Sequence, residues 1–150
     1  PVTAGNSFIS SSYWTERTGF AAALETIRQF ESKNVINHLT ELGDYFRARM
    51  SNVFKRVDIK IDGLLTVPIL VFKGKEPLQV KTFFTQEMLK RGFLASNVIY
   101  LSWAHTKKVF DNYADAVNDI FNHIPNHPED SNISKLLDGP VCHSGFQRLT

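Results

Sequence analysis

Apolar residues along this chain recur first every three or four positions, then every second position, then every three or four again. Phe20, Leu24, Ile27 and Phe30 lie at helical spacing and predict a helix over 18–31 that uses this face for its apolar contacts. Ala21, Ala22 and Ala23 thin that helix, so another element can approach it closely. Val35, Leu39, Leu42, Phe46, Met50 and Val53 predict a second helix from Asn34 to about Phe54. Asn34 is its expected N-cap, and Glu41, Asp44, Arg47 and Arg49 are expected to face away from the core. Gly43 inside it costs about 1 kcal/mol relative to alanine, so it is expected at a close crossing with the first helix.

The period then drops to two. Val57, Ile59 and Ile61 alternate with Asp58, Lys60 and Asp62, as a half-exposed strand does. Asp62-Gly63 signals a turn, and Val67 to Phe72 reads as a second strand with Pro68 at an edge or strand-start position. Pro77 opens a third helix built on Val80, Phe83, Phe84 and Met88 or Leu89, and Gly92 stops it. Phe93-Leu94 starts one short strand, and Val98, Tyr100 and Ser102 another. Thr106 caps a last helix whose stripe is Val109, Phe110, Tyr113, Val117, Ile120, Phe121 and Ile124, ended by Pro125. Beyond it lie a polar linker, one helical turn near Ile133 to Leu137, and an irregular tail.

This order of elements predicts an α+β fold, with helices on one face of a small, mostly antiparallel sheet. The expected division is a loop over 1–17, the α+β domain over 18–124 and a C-terminal extension over 125–150.

Composition narrows the function classes. A chain of 150 residues that is 43% hydrophobic, with 12 phenylalanines, can build a real core. The formal charge is only +2, and the basic residues are scattered, so no nucleic-acid partner is expected. The single cysteine, Cys142, cannot form an internal disulfide, which fits a cytoplasmic protein. No apolar run approaches the roughly 20 residues a membrane span needs, so no membrane association is expected. The start at Pro1, followed by polar, turn-like residues, reads as a piece of a longer protein.

The candidate chemistry sits mostly at that start. Ser10, Ser11 and Ser12 precede Tyr13, Trp14, Thr15, Glu16 and Arg17, then Gly19 and the first helix. Serine side chains compete for backbone hydrogen bonds and favour loops. A hydroxyl-rich loop feeding a helix start suits an anion such as phosphate; an ordinary capped loop fits the same residues. Among the five histidines, His123 and His127 are four apart, but Pro125 between them spoils the helical geometry a metal pair needs. Cys142-His143-Ser144 has the composition of a nucleophile cluster without an acidic orienter, and reads as a tail turn. His105 reads either as a polar group at an active-site edge or as a tie between strand end and helix start. Lys107 and Lys108 read as an exposed helix face, and Lys33, Lys60, Lys81 and Lys90 as exposed. The residues alone supply no catalytic base or nucleophile.

Several stretches together resemble the C-terminal region of class III aminotransferases dependent on pyridoxal 5'-phosphate (PLP), nearest the glutamate-1-semialdehyde 2,1-aminomutase-like branch. Ser11-Ser12-Tyr13 is similar to that family's Gly-Thr-Phe loop, and Ala21 to Ile27 to its small-residue helix. Leu42-Gly43-Asp44-Tyr45-Phe46 resembles its leucine-glycine helix, and Phe84 to Gly92 the helix before its next strand. Ser102-Trp103-Ala104-His105-Thr106 is similar to its Ser-x-x-His-Thr element.

The resemblance implies the small C-terminal domain of a fold-type I PLP enzyme, acting in amino-group transfer as a homodimer on a small amino-acid or amino-sugar-like substrate. It places the cofactor-bearing lysine upstream of Pro1, so no catalytic residue is expected in this chain and the fragment alone is expected to be inactive. It implies that Ser12, with Ser11 and Tyr13, contacts the cofactor phosphate of the partner subunit. Trp14, Glu16 and Arg148 are weaker substrate candidates. Ser11 stands where the family has glycine, and Trp14-Thr15-Glu16-Arg17 replaces its usual Asn-Pro segment. A reading of another class is a stand-alone α+β ligand-sensing or dimerisation module without catalysis.

Overall fold

A computed structural model describes residues 16–55, 57–122 and 133–145. The chain divides into two compact units, Pro1–Ile36 and Asn37–Thr150. The first contains helix α1 (Arg17–Ser32), in which no residue is buried. Phe20, Leu24, Ile27 and Phe30 are 65%, 59%, 56% and 44% exposed. The spacing therefore gave the helix and its apolar stripe, but not the burial of that stripe. Asn34 has φ 51°, and its N–H donates to the Glu31 carbonyl. It closes α1 as a left-handed residue, a conformation asparagine tolerates, instead of taking the extended geometry of an N-cap.

The second unit is built on α2 (Val35–Lys55), β1 (Ile59–Gly63), β2 (Pro68–Phe72), α3 (Pro77–Lys90), α4 (Lys107–Asn122) and a 3₁₀ turn (Ile133–Leu136). Leu42, Phe46, Met50, Val53 and Phe54 form the buried stripe of α2. Val80, Phe83, Phe84 and Met88 form that of α3, with Leu89 outside it. Phe110, Tyr113, Ala114, Val117, Ile120 and Phe121 form that of α4. The rings interlock across the helices: Phe46 meets Phe110 edge-on with centroids 5.4 Å apart, and Phe84 stacks on Phe121 at 6.2 Å. Such pairs add to the burial of their large apolar surfaces.

Strands β1 and β2 pair antiparallel with Ile61 opposite Leu70. Residues 97–101 line the other side of β2. There Leu70 N–H donates to the Asn97 carbonyl at 2.7 Å, Ile99 N–H to Pro68 at 2.9 Å and Leu101 N–H to Thr66 at 3.2 Å. Pro68 opens β2 with its nitrogen turned toward residues 97–101, so its missing N–H takes nothing from the pairing with β1. Phe93-Leu94 forms no strand; it follows the stop at Gly92, which has φ 84°. Gly92 N–H donates to Leu89 and Phe93 N–H to Met88, the paired closure that spends these residues on ending α3.

Gly43 corrects another expectation. A Cβ there would collide with the backbone of Leu65, so the close approach is to the turn after β1 and not to the first helix. That turn begins at Gly63, whose φ of 78° suits glycine, and closes with Val67 N–H donating to Leu64. Arg47 and Arg49 also do more than face solvent. Arg47 Nη2 donates to the carbonyls of Asp62 at 3.2 Å and Gly63 at 2.8 Å, tying α2 to the same turn. Arg49 pairs with Asp111 at 3.2 Å and Asp115 at 3.0 Å, tying α2 to α4.

Candidate functional site

Ser11, Ser12, Tyr13, Trp14 and Arg148 lie outside the described residues, as do His123 and His127. Glu16 is described and exposed. It occupies the N-cap of α1 in extended conformation (φ −72°, ψ 130°) and makes no side-chain cap. The first turn of α1 contains no acidic residue, so no carboxylate there competes for the helix's N–H groups.

His105 is placed by the backbone of Ser102. Its N–H donates to the Ser102 carbonyl at 3.0 Å, and its Nδ1 accepts the Ser102 N–H at 3.0 Å. An Nδ1 that accepts requires the neutral ring to carry its proton on Nε2. The histidine thus ties the end of the 97–101 segment to the start of α4, the structural one of its two readings. The ring also packs on Phe110 with centroids 5.5 Å apart. Thr106 continues the tie, its Oγ1 accepting from Val109 N–H at 3.4 Å.

Beside it lies a groove of about 460 Å³ walled by Phe93, Ile99, Tyr100, Val109, Phe110 and Tyr113. No Asp, Glu, Lys or Arg lines it. Tyr113 carries a buried hydroxyl with no hydrogen-bond partner among the described residues, and burial pushes its pKa upward, so it stays protonated. The groove can take an apolar body, and the titratable side chains that line it are His105, Tyr100 and Tyr113.

The charged groups join elements. Arg91 donates from Nε and Nη2 to one oxygen of Asp119 at 3.1 and 2.7 Å, linking α3 to α4, and pairs with Glu87 at 3.0 Å. Lys90 bridges Glu87 and Asp138, both at 2.9 Å. Burial opposes charge on Glu87, but hydrogen bonds from Lys90, Gln86 and Arg91 outweigh it and hold the carboxyl below its usual value. The Tyr45 hydroxyl donates to Asp111 at 2.6 Å. That bond, helped by Arg49, lowers the Asp111 pKa, and the same bond raises that of Tyr45. Lys107 is exposed, with its ammonium 5.3 Å from the Tyr45 ring centroid.

The segment after the 3₁₀ turn lies along α3. Gln86 Nε2 donates to the Leu136 carbonyl at 2.9 Å, and Asp138 N–H donates to Gln86 Oε1 at 2.7 Å. Cys142 N–H donates to Thr82 Oγ1 at 2.9 Å, and that hydroxyl donates to Leu78 at 2.7 Å. Cys142 is half-buried in this contact, and neither His143 nor Ser144 bonds to it. Thr82, Gln86 and Lys90 stand at i, i+4 and i+8, a helix face whose role as an anchor a polar spacing alone does not disclose. Among the described residues no group of His, Cys, Asp and Glu could hold a metal, and no helix is long and apolar enough to cross a membrane.

No family model and no curated protein matches this chain. In fold it is similar to the FumI protein of Sphingopyxis sp. MTA144, solved in its PLP internal aldimine form, with a TM-score of 0.67 and 22% identity. The likeness covers 85% of this chain and 33% of that one, so this chain spans about a third of the length of FumI.

Proposed function

We propose that this chain is the small C-terminal domain of a PLP-dependent aminotransferase or aminomutase of the class III, glutamate-1-semialdehyde aminomutase-like kind. The observation that supports it is the fold shared with a third of a protein solved with PLP. The ordered sequence resemblance from Ser11 to His105 points the same way. When bound, PLP supplies an electron sink for chemistry at an amino-bearing carbon. The lysine that holds it lies, on this reading, in a domain upstream of Pro1, and the substrate is a small amino acid or amino-sugar-like molecule.

The residues of this chain position and enclose. Ser12 Oγ and the adjoining N–H groups donate to the cofactor phosphate of the partner subunit in a homodimer, just ahead of the uncapped start of α1. Ser11 and Tyr13 flank that contact. Trp14, Glu16 and Arg148 are proposed to face the substrate. The groove lined by His105, with no Asp, Glu, Lys or Arg in its walls, gives this domain a largely apolar surface, which fits a domain that closes a site whose chemistry is elsewhere.

Ser12→Ala in the full-length holoprotein tests the phosphate contact. A hydrogen bond to a charged group contributes about 1.5–3 kcal/mol, so cofactor affinity should fall at least about tenfold. Unchanged affinity would remove the assignment. A reading frame with no upstream lysine-bearing domain would remove the enzyme reading itself and favour a stand-alone module.

A further inference from the structure

Among the described residues, the outer edge of β1 is open. On β2, Leu70 N–H and the Pro68 carbonyl turn toward residues 97–101, so Ile69 and Val71 turn toward β1, opposite Asp62 and Lys60. Hydrogen bonding alternates along an antiparallel pair. The N–H and C=O groups of Ile59 and Ile61 therefore point outward, and among the described residues β1 pairs with β2 alone. An unpaired edge of this kind is a template for another strand.

We propose that β1 pairs antiparallel with β1 of a second copy of this chain, about a two-fold axis at Ile61. The sequence Ile59-Lys60-Ile61-Asp62-Gly63 is self-complementary in this register and no other near it. With Ile61 opposite Ile61, Lys60 of each copy faces Asp62 of the other, giving two opposite-charge cross-strand pairs. A shift of the axis to Lys60 would keep the outward-pointing groups paired but set two lysines face to face, in a non-hydrogen-bonded pair where side chains lie closest. In the single chain, Lys60 Nζ and Asp62 Oδ2 already lie 3.0 Å apart on the outer face, 57% and 59% exposed, free to exchange partners. A two-fold contact requires such self-complementarity.

Flanking the edge is a groove of about 460 Å³ between α2 and β1, lined by Ser51, Phe54, Ile59 and Ile61. It has room for the inward-facing isoleucine of the second strand. Arg47, bound to the Gly63 carbonyl, limits the ladder to the centre of β1. Five-residue strands bury little area, so the association is weak and concentration-dependent. It rests on the second unit alone and stands whether or not the cofactor reading holds.

Sedimentation equilibrium of the 150-residue chain, up to about 1 mM where weak association still registers, tests the proposal. The wild type should self-associate. K60E and D62K should each weaken association about tenfold, because each sets like charges opposite one another twice. An equimolar mixture of the two variants should associate as wild type does, and so should the double variant K60E/D62K. A monomer throughout, or association untouched by the single reversals, would overturn the pairing, the latter by assigning it to another surface. Should a single variant lose its helical circular dichroism, the double variant carries the test: association at wild-type strength supports the pairing, and its absence overturns it.

Discussion

Helices α1 and α4 are each 16 residues long and carry an apolar residue at every third or fourth position. On α4 six residues are buried, with rings that meet α2 and α3; on α1 none is. Periodicity determines which face of a helix is apolar, and it does so equally well for both. It carries no information about what covers that face. On α4 the cover is supplied by residues distant in sequence, as where Phe46 of α2 meets Phe110 and Tyr113. The contrast predicts that equal substitutions in the two helices' environments will have very unequal effects.

The largest effect belongs to the covered side. Phe46→Ala, at a fully buried ring, should lower the stability of the second unit by about 3–5 kcal/mol, read as the shift in a denaturant midpoint. Gly43→Ala should follow, at about 1–3 kcal/mol, since its new methyl meets the backbone of Leu65, which cannot rotate aside as a side chain can. Alanine would be the better helix former at a site without that neighbour, so a stabilised variant would refute the close approach. Gln86→Ala removes both hydrogen bonds to the segment after the 3₁₀ turn and should cost about 1–2 kcal/mol. Amide exchange at Asp138 should quicken in that variant while exchange in α4 stays slow.

Acidification gives a smaller effect. Glu87 and Asp111 have folded pKa values below their ordinary ones. Their contribution is therefore complete at neutral pH and is lost as pH falls below about 4, through the folded values. Denaturation midpoints should drop between pH 5 and pH 2 on the order of what exposed ion pairs supply, and Glu87→Gln should flatten that drop. The smallest effect belongs to α1: Leu24→Ser should change the stability of the 150-residue chain by no more than about 0.5 kcal/mol. A loss as large as that of Phe46→Ala would erase the contrast between the two helices.

Much of the fold was readable from residue spacing, and the misses have physical causes. The α2, α3 and α4 stripes follow from periodicity, and the two strands from alternation. The third strand-like segment was only half visible: 97–101 is held by three backbone bonds, with side chains that do not alternate cleanly, and Phe93-Leu94 is used up in closing α3. Gly43 reads from the sequence as a close approach, but its partner, Leu65, lies in a turn whose path no periodicity encodes. Arg47 and Arg49 read as solvent-facing because a charged residue off the apolar stripe usually goes there; carbonyls of the β1 turn and carboxylates of α4 bind them instead.

The candidate site was legible differently. The chemistry proposed for it rests on Ser11, Ser12 and Tyr13, which carry a signal as a hydroxyl-rich run before a helix and as a resemblance to a family loop. His105 shows the limit of a single residue type. A histidine between strand and helix suits a site or a tie, and only its two bonds to Ser102 distinguish them.

The central claim is that the loop before α1 holds the coenzyme of a neighbouring subunit. A crystal structure of the full-length holoprotein measures it most directly, through the distance from Ser12 Oγ to the nearest phosphate oxygen. The expected value is about 2.5–2.7 Å, that of a hydroxyl donating to a charged oxygen, with the phosphate belonging to the other subunit. A Ser12 hydroxyl facing bulk water, with both subunits' phosphates held by other residues, would contradict the claim.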